Sequence, residues 1–176
     1  MCRYLRHSKI KLQEGISIDS ETVKLENIVG TVQGLKGRTK DIIFDLFFAE
    51  KRVVAAVVLY FSDLTDIYGK ISLITFLFGN QSEHSEVKLR SARLIDERRL
   101  AFKDKTLDEI LALHNASIRI DYENIVSVTI KKGIVQTSLR FVLKGPPERK
   151  IDFWLEESQI AEVKTLLEKV LPNKIK

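Results

Sequence analysis

Five cations stand where they could converge on one anion. Lys36, Arg38 and Lys40 surround Gly37 in the loop Leu35-Lys36-Gly37-Arg38-Thr39-Lys40, and Lys51 and Arg52 sit on the next turn. Cations so closely spaced suit an anionic headgroup, because each contributes about 1 kcal/mol near a charged surface. The plain alternative is ordinary loop solvation. Other chemistry has little to stand on. His7, His84 and His114 have no histidine partner at i,i+4. Cys2 is the only cysteine, which excludes a disulfide framework and a thiolate-rich metal site within one chain. His114 reads as a histidine at a helix C-terminus, interacting with the dipole rather than with a metal. Gly30, Gly34 and Gly37 do not form the spacings that cradle phosphates. No G-x-S-x-G elbow or Cys–His arrangement supplies a nucleophile. The chain reads as non-enzymatic, with neither cofactor nor metal.

The elements that must position these cations follow from periodicity. The chain has 176 residues, enough for one domain with a proper core and short for two. Its charge of +5 is mildly basic and slightly favours anionic partners. No signal peptide is visible at the basic start, and the apolar run Ile71 to Phe78 is too short to cross roughly 30 Å of hydrocarbon as a helix. The expected compartment is the cytoplasm. The basic first dozen residues read as a solvated or strand-forming terminus, with an arm for nucleic acid or anionic lipid as the alternative. A small hairpin is expected across Glu14-Gly15.

Val23 to Leu35 reads as extended, with Gly30 and Gly34 marking a bend or bulge. Ile42 to Phe48 and Val53 to Phe61 are long apolar runs that make a hairpin across Ala49-Glu50-Lys51-Arg52. Asp45, inside the first run, is expected to face the rim, with a buried carboxylate paired to Arg52 or Lys51 as the alternative. Leu64 to Phe78 changes to helical spacing, and its stripe includes Ile67, Tyr68, Ile71, Ile74 and Phe78. That stripe packs within the chain, forms a dimer seam or lies on a membrane. Ser82 to Lys103 is a charge-dense helix with a narrow stripe of Val87, Leu94 and Ala101, beside Ile95 and Phe102. Thr106 and Glu109 form a capping box for a short helix.

From Ser117 the pattern returns to period two. Ile118, Ile120 and Tyr122, then Val126, Val128 and Ile130, then Leu139, Phe141 and Leu143, then Ile151, Phe153 and Leu155 predict four strands. A helix follows, capped by Ser158, with Ile160, Val163, Leu166, Leu167, Val170 and Leu171 on one stripe and Pro172 as its stop. The meander and the helix can bury their apolar faces against each other.

Two motifs carry a resemblance. Phe44-Asp45-Leu46-Phe47-Phe48-Ala49-Glu50-Lys51-Arg52-Val53-Val54 is similar to the strand hairpin of small prokaryotic pleckstrin-homology-like (PH-like) domains. Ile120-Asp121-Tyr122-Glu123-Asn124-Ile125-Val126-Ser127-Val128 resembles their later strand pair. The chain departs from that pattern at Ala49, where the family usually has Thr, and at Asp121, where it often has Pro. The resemblance implies an α+β fold: a seven-stranded antiparallel barrel or sandwich with a C-terminal capping helix. Residues 1–176 would form a single domain, its barrel from 23–61 and 117–171 and a helical insertion, 63–115, between the third and fourth strands. It also implies a binding module rather than an enzyme. In relatives that bind inositol phosphates, the loop corresponding to Lys36, Arg38 and Lys40 carries the cations.

Three functions follow as expectations. The first is a non-catalytic module whose partner is another protein or a second copy of the chain. The second is a peripheral membrane module that reads anionic headgroups through Lys36, Arg38, Lys40, Lys51 and Arg52. The third is a nucleic-acid binder using the basic arm and loop, weakened because the sequence does not interleave aromatics with cations as a stacking platform requires.

Overall fold

The structure, a computed structural model, describes residues 26–38, 42–60 and 81–176, and of 81–88 the helix alone. Its strands are β1 (Ile28–Gly37), β2 (Ile42–Ala49), β3 (Arg52–Tyr60), β4 (Ile118–Asp121), β5 (Ile125–Lys132), β6 (Thr137–Leu143) and β7 (Arg149–Leu155). Helices α1 (Gln81–Phe102) and α2 (Leu107–Ala112) lie between β3 and β4, and α3 (Glu157–Val170) follows β7. A 3₁₀ turn, Tyr122–Asn124, joins β4 to β5. The expected hairpin at Glu14-Gly15 and the helix over 64–78, with Ile67, Tyr68, Ile71, Ile74 and Phe78, lie outside the described residues.

All seven strands pair antiparallel in one sheet, ordered β4-β3-β2-β1-β7-β6-β5. The layout expected from the sequence is present; the expected closure is not. No ladder joins β4 to β5, so the sheet is open rather than a barrel. The seam between β1 and β7 is also brief, limited to Lys36 opposite Trp154 and Gly37 opposite Phe153. The physical cause lies in β1. Its register with β2 shifts between Ile28 and Gly30 and again between Val32 and Leu35, and Gly34 takes a φ of 76° that other residues adopt at a cost. α3 packs against this irregular strand. The Leu166 side chain occupies the space that a Cβ on Gly30 would need. Gln159 Nε2 donates to the Gln33 carbonyl at 2.6 Å.

β3 is buried on both faces. Val53, Ala55 and Val57 belong to the main core with Phe48, Phe141, Phe153 and Leu167, whereas Val54, Ala56 and Val58 pack with Phe102, Leu107 and Ile110. A strand covered on both faces reads as a continuous apolar run rather than an alternating one. The helices between β3 and β4 are thus the cover of a second core, not a detached excursion. The line of α1 nearest that core differs from the expected stripe. Phe102 is buried and Ile95 packs against the core, but Ala101 is exposed, and Arg98 and Arg99 share the half-buried face.

Helix ends follow local chemistry. Thr106 caps α2 as expected: its N–H donates to Glu109 Oε2 at 2.7 Å, and the Glu109 N–H donates back to Thr106 Oγ1 at 3.3 Å. That hydrogen bonding holds the Glu109 carboxyl below its ordinary pKa. The cap of α3 is Glu156 rather than Ser158, because the Glu156 N–H donates to Gln159 Oε1 at 2.8 Å and the helix begins before Ser158. Beyond α3, Val128 N–H donates to the Lys174 carbonyl at 2.8 Å and the Lys176 N–H to the Val128 carbonyl at 2.9 Å, so this segment covers the outer edge of β5.

Candidate functional site

The structure places four of the five expected cations, and it sorts them into two separate places. β2 has eight residues, so the turn carrying Lys51 lies about 26 Å along the strand from the loop that follows Gly37. One ligand of headgroup size cannot span that distance. Lys36 and Arg38 are exposed at the end of β1, and Lys40 lies outside the described residues.

Arg52 opens β3 rather than standing on the turn, and its guanidinium is engaged within the chain. It is buried, with Nε at 2.7 Å from Glu26 Oε2 and its two terminal nitrogens at 2.7 and 3.1 Å from the Asp108 carboxylate. Hydrogen bonding to Asp108 raises its pKa further, and the same contact lowers that of Asp108. The guanidinium fixes the N-terminal turn of α2 to the start of β3. Lys51 stays exposed, while its backbone N–H donates to Glu26 Oε1 at 3.3 Å.

Asp45 also departs from expectation. It is buried rather than facing the rim, and accepts from Arg99 Nε at 2.8 Å, Arg99 Nη2 at 2.9 Å and the Gly34 N–H at 2.8 Å. This bidentate pair raises the Arg99 pKa and ties α1 to β2, and the same carboxylate reaches the bulge of β1 through Gly34. His114 likewise has a local role. Its Nδ1 accepts the Ala116 N–H at 3.0 Å, and its ring lies 5.6 Å from that of Tyr60.

The feature that sequence reasoning missed is the tip of the β5–β6 hairpin. Lys131 and Lys132 end β5, Thr137 begins β6, and Gly133-Ile134-Val135-Gln136 turns between them. Gly133 is required, since a Cβ there would stand 2.7 Å from the Gln136 carbonyl oxygen. Ile134 is fully exposed and Val135 is 89% exposed. Turns usually carry polar residues, so two adjacent β-branched aliphatics at a turn centre were the available signal.

The tip shares a concavity of about 500 Å³ with Lys36, Lys132, Leu155 and Ile160, and Glu156 and Glu157 lie on its rim. Lys36 and Glu156 stand 4.0 Å apart there, both well exposed. The ladders put Lys36, Trp154, Ser138 and Lys131 in one cross-strand row, so their side chains share one face of the sheet. An indole with Lys36 on one side and Lys131 beyond Ser138 on the other is therefore present on the sheet, although the sequence shows no such interleaving. Of the four expected cations among the described residues, Lys36 alone lines this concavity. Among the described residues no cluster of His, Cys, Asp or Glu could hold a metal ion. No helix among them is long and apolar enough to cross a membrane. No family model matches the chain, and no curated protein matches it.

Proposed function

We propose that the chain is a non-catalytic, PH-like binding module that docks reversibly on an anionic membrane surface through the β5–β6 tip. The seven antiparallel strands followed by a helix support the PH-like part of this reading. The observation that carries the membrane part is the exposure of Ile134 and Val135 in a concavity that Lys36 and Lys132 also line. Transferring two such aliphatic side chains out of water is worth about 3–6 kcal/mol. Each lysine adds about 1 kcal/mol near anionic lipid, and Glu156 and Glu157 offset part of that gain. The net lies between about 4 and 8 kcal/mol, the millimolar-to-micromolar range expected of a reversible contact.

Co-sedimentation with neutral and phosphatidylserine-containing vesicles tests it. Wild-type protein should pellet with anionic vesicles, and less so at high salt, because exposed charges are screened over about 8 Å at physiological ionic strength. Ile134→Asp with Val135→Asp should abolish pelleting at every salt concentration, with an unchanged circular dichroism spectrum. Trp154 is the only tryptophan and lies on the same row as Lys36, so its fluorescence should change on vesicle addition. Wild-type protein that ignores anionic vesicles at low salt would overturn the membrane reading. Quenching of Trp154 by a single-stranded oligonucleotide instead would move the same surface to nucleic acid.

A further inference from the structure

A second surface lies on α1, away from the tip. Leu89, Arg93, Asp96, Leu100 and Lys103 recur at alternating spacings of four and three, which places them on one stripe. All five are exposed, Leu89 and Leu100 to 56% and 69%. Lys103 stands just past the helix, and its N–H to the Leu100 carbonyl, at 3.1 Å, keeps it in the same turn. Beside Asp96, Leu100 and Lys103 runs a groove of about 630 Å³, with Phe47, Thr31 and Gln33 on its sheet side. The Asp45–Arg99 pair at its base is mutually neutralised. The exposed charges flanking Leu100 in that groove are an acid on one side, Asp96, and a base on the other, Lys103.

We propose that this face binds a second copy of the same chain, with the two α1 helices antiparallel about a two-fold axis near Leu100. The order acid–apolar–base is self-complementary under that operation. Rotation brings Asp96 of each copy to Lys103 of the other and sets each Leu100 over the other's groove, where Phe47 offers apolar contact. A two-fold interface uses the same patch twice, so one such stripe is sufficient. Contact through one helix face and two rim ion pairs makes a modest, concentration-dependent dimer. The surface is independent of the membrane tip and stands or falls separately.

Sedimentation equilibrium of the full chain tests it. Wild-type protein should pass from monomer to dimer as concentration rises. Asp96→Lys alone and Lys103→Asp alone should each weaken association about tenfold or more, because each creates two like-charge contacts. The double variant D96K/K103D restores the opposite pairing and should recover association to near the wild-type level. Leu100→Asp should weaken the dimer whatever the charge arrangement. These positions are exposed, so unchanged circular dichroism is expected throughout. Wild-type protein that stays monomeric at roughly millimolar concentration overturns the proposal. So does a double variant no better than either single one.

Discussion

Asp45 and Arg99, 54 positions apart in sequence, meet through hydrogen bonds of 2.8 and 2.9 Å and lock α1 onto β2. Asp45 is 1% exposed, so its charge depends on this partner and on the Gly34 N–H. Arg99→Ala leaves a buried carboxylate without its main partner and should cost about 3–5 kcal/mol. Replacing both residues by leucine should cost less than Arg99→Ala alone, because no buried charge then remains. Urea denaturation of both variants decides the point, and a harmless Arg99→Ala would show that the pair contributes little.

The contact between Arg52 and Asp108 predicts an acid limb. Hydrogen bonding to Arg52 lowers the Asp108 pKa from its ordinary value of 3.8. A carboxyl whose folded pKa is depressed stabilises the fold above its unfolded value, and that contribution is lost as pH falls through the folded one. Asp108 is 69% exposed, so solvent screening limits the term to about 0.5–1 kcal/mol. Asp108→Asn should be less stable than wild type by that amount near neutral pH, and the gap should close well below pH 3.8. A gap that persists in acid would assign the effect to something other than charge.

α3 is fixed to the sheet by a few buried contacts. Leu167 is fully buried in the main core, so Leu167→Ala should cost about 2–5 kcal/mol. Gly30→Ala should also destabilise, because its added methyl meets the Leu166 side chain. Combining Gly30→Ala with Leu166→Ala should relieve that clash, which thermal denaturation would detect as a total cost smaller than the sum of the single ones.

Joining Phe61 to Ser117 by a short linker should not leave a stable sheet. The deletion removes Phe102, Leu107 and Ile110 and bares Val54, Ala56 and Val58, which those residues cover. Binding of a hydrophobic dye together with a large drop in melting temperature is expected. A monomeric, cooperatively melting product would show that the second core is dispensable.

Much of the sheet is legible in the sequence because its signals are local. Alternation from Ile118 to Leu155 places four strands, Thr106 and Glu109 announce a helix start, and Gly30 and Gly34 mark the irregularities of β1. What stays hidden depends on partners distant in sequence. Arg52 looks like a turn cation until Glu26 and Asp108 converge on it, and Asp45 looks like a rim residue until Arg99 arrives from a helix. The long apolar run of β3 signals burial on both faces, but not which helices supply the second cover. Ile134 and Val135 were readable in principle and are overlooked when turns are scanned only for glycine and proline.

The sharing of β3 between two cores has a kinetic meaning. Val53, Ala55 and Val57 hold one side of the strand while Val54, Ala56 and Val58 hold the other, so local fraying of either cover leaves the strand still sheltered. Its ladder partners β2 and β4 flank Val53 to Ala55 on both sides. Deuterium should therefore reach the amides of Val53 to Ala55 in β3 only when the whole molecule opens, whereas the hairpin tip at Ile134 exchanges freely. A binding tip on a fast-exchanging loop can adapt to its target while the slowest-exchanging strand keeps the frame behind it unchanged.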